Sequence, residues 1–217
     1  MIWRPLSVRS SVTTTPRALV AVSIFYALFA LSAAAQTAAA LLGPTDTEPA
    51  RAAPPLFVAH AATGAAALLA VSCQLGLLAT PPTARQRTLH RALGRLYVMA
   101  AVLTSLLSLP VVVAFDVDNL TRAAFLGEAA LWLITTLRAY THIRAGRIND
   151  HREWMLRSFA LAAFFITFSL WDPFLANLPL PPATAYAVAV LLGWLVNLVI
   201  AEIWIRGTRN GRSRASG

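Results

Sequence analysis

The 217-residue sequence has no lysine, one cysteine (Cys73) and only nine acidic residues. A single cysteine excludes a disulfide or a thiolate metal cluster within one chain. Charged residues make up 12% of the sequence, half of the roughly 25% usual in soluble domains, so a water-exposed globular surface is excluded. No polar stretch is long enough for a soluble domain, and the apolar runs lack the polar/apolar alternation of barrel strands. Alanine, leucine and valine fill the chain instead. It is 58% hydrophobic, with apolar stretches at approximately 18–42, 56–80, 96–115, 122–142, 155–175 and 183–205. Each reaches the roughly 20 residues that a helix needs to cross about 30 Å of hydrocarbon. Backbone polar groups in lipid must be satisfied within the segment itself. The expected fold is all-α: a polytopic six-helix transmembrane bundle, one integral membrane domain over residues 1–217.

All 18 basic residues are arginine, and sixteen of them fall on one side of the expected bundle. Arg4, Arg9 and Arg17 precede the first span, and Arg85, Arg87, Arg91 and Arg95 lie between or just inside the second and third. Arg138, Arg144, Arg147, Arg152 and Arg157 surround the turn between the fourth and fifth, and Arg206, Arg209, Arg212 and Arg214 follow the sixth. The opposite connections carry only Arg51 and Arg122, beside Asp46, Glu48, Asp116 and Asp118. Basic residues are retained in cytoplasmic loops, so both termini are expected in the cytoplasm. Topology thereby accounts for the net charge of +9, and no nucleic-acid partner is needed. The basic start and the "SAAAQTAAA" segment have the look of a secretory signal. The apolar run nevertheless continues through Leu42, so the first span is expected to remain attached.

An internal repeat links two of the arginine-rich turns. "LHRALGRLYVMA" at 89–100 and "DHREWMLRSFAL" at 150–161 are 61 residues apart, and each begins a span with His-Arg after an arginine-rich turn. Spans 2–3 and 4–5 therefore read as two related hairpins. Helical steps of four and seven from His90 reach Gly94 and Tyr97, with Arg91 and Arg95 as a neighbouring stripe. Gly94 offers close approach to another helix. Tyr97 and Trp154 suit the headgroup level, where amphipathic rings collect. Asp150 is an N-cap candidate with Glu153 in a capping-box position. At i, i+4 spacing, Glu153 would pair with Arg157 and Glu202 with Arg206.

The segments "HAATGAAALLAVSCQLG", "LHRALGRLYV" and "LWLITTLRAYTHIRAGRINDHREWMLRSFAL" resemble the predicted bacterial membrane proteins grouped as domain of unknown function 2306, over roughly residues 56–170. The positions that carry the resemblance are His60, Gly64, Gln74, Gly76, His90, Arg91, Gly94, Arg95, Tyr97, Tyr140, Arg144, His151, Arg152, Trp154, Met155 and Arg157. It implies a multi-pass protein of the bacterial cytoplasmic membrane and assigns no activity.

The side-chain chemistry supports three readings. In the first, His90, Arg91, Arg95, Tyr97, His142, His151, Arg152, Trp154 and Arg157 form a cytoplasmic cluster that binds an anionic lipid headgroup or ligand, because guanidinium forks pair well with phosphate. In the second, the chain is a redox protein holding a single b-type haem between His90 and His151 or His142, with arginines on the propionates. In the third, His60, Glu128 and Asp172 form a metal or proton-relay site near the opposite surface. The bland alternative to the third is an interfacial His60, a water-facing Asp172 and a Glu128 paired with Arg122.

Overall fold

The computed structural model describes residues 16–42, 54–79 and 83–216. Arg4, Arg9, Arg51, Asp46 and Glu48 lie outside the described residues, as do the side chains of Arg212 and Arg214. The helices are α1 (Pro16–Leu42), α2 (Pro54–Leu78), α3 (Ala84–Ala114), α4 (Asn119–Arg144), α5 (Ile148–Ala162), α6 (Phe164–Ala176) and α7 (Pro182–Ser216). No strand occurs among the described residues. Helices α5 and α6 are one rod interrupted at Ala163, so the seven helices among the described residues make the six that the apolar runs predict. Five of those six are long and apolar enough to cross a membrane, and within α1 the described apolar stretch is Val20–Ser32.

Two helices begin well before their apolar runs. α3 starts at Ala84 rather than near residue 96, because Thr83 and Gln86 form a capping box. The Gln86 N–H donates to Thr83 Oγ1 (3.2 Å) and the Thr83 N–H to Gln86 Oε1 (2.6 Å). This satisfies two otherwise orphaned donors. α5 starts at Ile148 rather than near 155; its N-cap is Arg147, without a side-chain cap bond, and not Asp150. Asp150 sits inside the first turn, 3.8 Å from Arg147, where a carboxylate favours the helix dipole.

The short turn 115–118 between α3 and α4 is closed by Asp118. Its Oδ1 accepts from the N–H of Leu120 (2.8 Å) and of Thr121 (3.0 Å), and its Oδ2 from Thr121 Oγ1 (2.6 Å). These bonds hold its carboxyl below the usual aspartate range, the Thr121 side-chain bond foremost. A carboxyl with a depressed pKa stabilises the fold above the unfolded value, about 3.9, and loses that contribution as pH falls through the folded one. The melting-temperature gap between wild type and Asp118→Ala is therefore expected to narrow on acidification below that range. Thermal scans in detergent at a series of pH values would show it.

Sequential helices pack side by side, and α7 lies across both α4 and α5. The core is built from small residues, among them Ala67, Ala70, Ala100, Ala101 and Ala124, which let membrane helices approach closely where no hydrophobic drive separates protein from lipid. Gly193 of α7 shows the limit of that approach: a Cβ there would come within 3.0 Å of the Phe164 ring at the start of α6. Outward faces carry Leu103, Leu106, Val113, Leu170, Val199 and Ile203, all exposed, as a lipid-facing surface requires.

Candidate functional site

Because α3 and α4 are antiparallel and joined by a short turn, residues at equal distances from that turn share a depth. Arg95 is 19 residues before Ala114, and Arg138 is 19 after Asn119. At 1.5 Å per residue both stand about 28 Å from the turn, close to one hydrocarbon thickness. Arg91 and His142 lie one turn further out on the same two helices. Arg91, Arg95, Arg138 and Arg144 are exposed, and among the described residues no carboxylate forms an ion pair with any of them.

The carboxylates of this end are engaged elsewhere. Arg157 of α5 grips Glu202 of α7 through two parallel bonds, Nε to Oε1 and Nη2 to Oε2 (3.1 Å). Arg209 of α7 holds the buried Glu153 through Nε (2.9 and 3.1 Å) and Nη2. The expected i, i+4 pairs within single helices, Glu153 with Arg157 and Glu202 with Arg206, are replaced by these two bridges between helices. Bidentate Arg–carboxylate geometry across helices outweighs the few tenths of a kcal/mol that a local pair contributes. Trp154 lies beneath both Arg157 (4.6 Å from guanidinium carbon to ring centre) and Arg138 (5.8 Å). His142 stacks on the Trp154 ring at 6.3 Å and 9°. Its Nδ1 is 3.6 Å from Asp150, an ion-pair distance too long for a hydrogen bond.

Tyr97 is fully buried and faces the neighbouring helices rather than lipid headgroups. Its hydroxyl accepts from Trp132 Nε1 (3.0 Å) and shares a bond with Ser158 Oγ (2.6 Å), which in turn pairs with Thr136 Oγ1 (2.7 Å). Three helices thus meet in one closed polar knot. Tyr97 and Ser158 are 61 residues apart, the offset of the internal repeat, so corresponding positions of the two hairpins touch each other. Phe159 packs edge-on against Tyr97 at 5.2 Å. These contacts join α3 to α5 two turns inside His90.

His90, His142 and His151 lie near one another at the arginine-rich end, close enough for His151 to act on His90 and His142 on His151, while His60 lies on α2. His90 is exposed, while its backbone carbonyl accepts from Gln74 Nε2 (3.0 Å) of α2. That Gln74 amide lies over Gly94, where a Cβ would meet it at 3.2 Å, so Gly94 does provide the close approach. His151 directs Nδ1 to the Ala139 carbonyl (2.8 Å), and His60 directs its own to the Thr104 carbonyl (3.1 Å). Arg152 is half-buried beside His151. In the other half of the bundle, Arg122 donates to the carbonyls of Phe115 (3.3 Å) and Val117 (3.4 Å) rather than pairing with Glu128. Asp172 lines a surface cavity of about 160 Å³ with Tyr186. No group of three His, Cys, Asp or Glu side chains able to hold a metal ion occurs among the described residues, so His60, Glu128 and Asp172 are not assembled into a metal site.

Sequence reasoning missed the Tyr97 knot and both interhelix ion pairs; only the 61-residue offset pointed toward the first. No curated protein and no solved structure matches the chain. A family model, described as a predicted membrane protein (DUF2306), matches residues 57–205, extending the resemblance through the last span. With well over half of its 217 residues matched, the chain belongs to this family of predicted membrane proteins.

Proposed function

We propose that the arginine-rich end of the bundle faces the cytoplasm of a bacterial cell and binds the phosphate of an anionic membrane lipid. The observation that carries this reading is the level and freedom of Arg95 and Arg138. Both are exposed, both lack a carboxylate partner among the described residues, and both stand about one hydrocarbon thickness from the opposite turn. A guanidinium at that height meets lipid phosphate, to which it offers a planar fork of donors. Arg91 and Arg144 extend the same surface outward. The ion pairs Arg157–Glu202 and Arg209–Glu153 support it from behind: they neutralise the carboxylates that would otherwise repel a phosphate.

A basic residue near the leaflet surface contributes about 1 kcal/mol of attraction. The double variant Arg91→Gln/Arg95→Gln is therefore expected to bind anionic lipid about 30-fold more weakly than wild type. Mass spectrometry of lipid co-purified with each protein would read the difference. Unchanged anionic lipid in the variant would reject the assignment.

A further inference from the structure

We propose that Glu128 is a proton-binding site near the middle of the membrane, and that the Ser105 hydroxyl, unpaired among the described residues and at the same depth on the neighbouring helix, turns to bond its carboxyl. This is independent of the lipid surface at the arginine-rich end.

Glu128 is nine residues after Asn119, and Ser105 is nine before Ala114. The two helices are packed together, so both side chains lie about 14 Å from the 115–118 turn, close to half of a hydrocarbon core of about 30 Å. Both are buried, at 8% and 4% exposure. Glu128 belongs to the buried stripe of α4 that also carries Thr121, Ala124 and Trp132, so its carboxyl faces protein rather than lipid. No hydrogen bond or ion pair reaches it from the described residues.

Ser105 Oγ, Arg122 Nε and Trp194 Nε1 are buried polar atoms without hydrogen-bond partners among the described residues. They come from α3, α4 and α7, and all three lie in the same half of the bundle or near its middle. An apolar core does not tolerate such a set, because each unsatisfied group costs about 1–3 kcal/mol. A metal ion needs more ligands than one carboxylate and one hydroxyl, whereas a proton needs only the carboxyl. Ionisable groups within a membrane are expensive and are kept for such work.

The elements packed against α4 are α3, α5 and α7. None places a charged side chain that acts on the Glu128 carboxyl. The titratable groups nearest on those elements are Tyr97 of α3, committed to Trp132 and Ser158, and Tyr186 of α7. The Tyr186 ring is 6.4 Å from Phe125, one turn before Glu128. It also lines the surface cavity that contains Asp172.

The test is carbodiimide labelling of the full-length protein in liposomes, with the modified residue located by peptide mass spectrometry across a pH series. A carbodiimide reacts with the neutral carboxyl, whose proton moves to the reagent nitrogen as the oxygen adds to its carbon. Labelling at Glu128 is expected to fall about tenfold per pH unit on the alkaline side of its midpoint, the slope of a one-proton titration. Ser105→Ala is expected to move that midpoint by about one pH unit, the equivalent of one hydrogen bond. Ser108→Ala, whose hydroxyl already donates to the Ser105 carbonyl (2.7 Å), should leave it in place. No labelling at any pH, or labelling independent of pH, would overturn the site. Equal midpoints in the two serine variants would overturn the role of Ser105.

Discussion

Replacing Tyr97 with alanine is expected to destabilise the bundle by about 3–5 kcal/mol, as for other large-to-small core substitutions of aromatic residues. The side chain is fully buried, packs edge-on against Phe159 and joins Trp132 to Ser158. Tyr97→Phe separates the ring from the hydroxyl. It keeps the packing but leaves the Trp132 indole N–H without its acceptor, while Ser158 and Thr136 still satisfy each other (2.7 Å). The expected loss is then about 1–3 kcal/mol, the penalty of one buried unpaired donor. Unfolding of the two variants in the same detergent distinguishes the contributions. Equal losses would mean that the hydroxyl carries the whole effect, and no loss in either would remove the knot from the account.

The second large effect is expected at Arg157. Its side chain is 14% exposed and clamps Glu202, which is 33% exposed, while its guanidinium lies over Trp154. Removing one partner of a buried pair costs about 3–5 kcal/mol. Water reaches Glu202, so Arg157→Leu is expected to cost about 2 kcal/mol, between buried and surface values. Glu202→Gln in the same background should recover part of that loss, because the uncompensated carboxylate disappears with it. A double-mutant cycle measures the coupling, and additivity of the two substitutions would show that the bridge contributes nothing. Trp154 fluorescence supplies a local readout, since the indole loses the cation above it.

The helices were legible in the sequence because lipid imposes a length and a composition on any segment that crosses it. Four of the six apolar runs lie wholly within a helix or the α5–α6 rod, and the runs 56–80 and 96–115 pass the ends of α2 and α3 by one or two residues. Helix starts were less legible. Hydropathy reports the part of a helix that faces hydrocarbon, whereas the first turns of α3 are polar and are fixed by the Thr83–Gln86 capping box. Local spacing rules also pointed to the wrong ion pairs. Glu153 and Glu202 each have an arginine four residues on, yet their partners are 56 and 45 residues away in sequence, a choice made by how α5 and α7 meet. The Tyr97 contacts were hidden for a related reason: spacing gives its height along α3, and only the packing of α3, α4 and α5 shows that it bonds Ser158 and Trp132. The arginine-rich surface followed from charge asymmetry alone, but which arginines remain available for a ligand did not. That required seeing Arg157 and Arg209 occupied and Arg95 level with Arg138.

The lipid reading is tested most directly by thermal unfolding during titration with a short-chain phosphatidylglycerol and, separately, a short-chain phosphatidylcholine. A ligand that binds only the folded state stabilises it by about 2.7 kcal/mol at 100 times its dissociation constant. The predicted result is a rise in melting temperature with the anionic lipid, little change with the zwitterionic one, and loss of the rise in Arg91→Gln/Arg95→Gln. Equal shifts with both lipids, or an anionic shift that survives the two substitutions, would contradict the account.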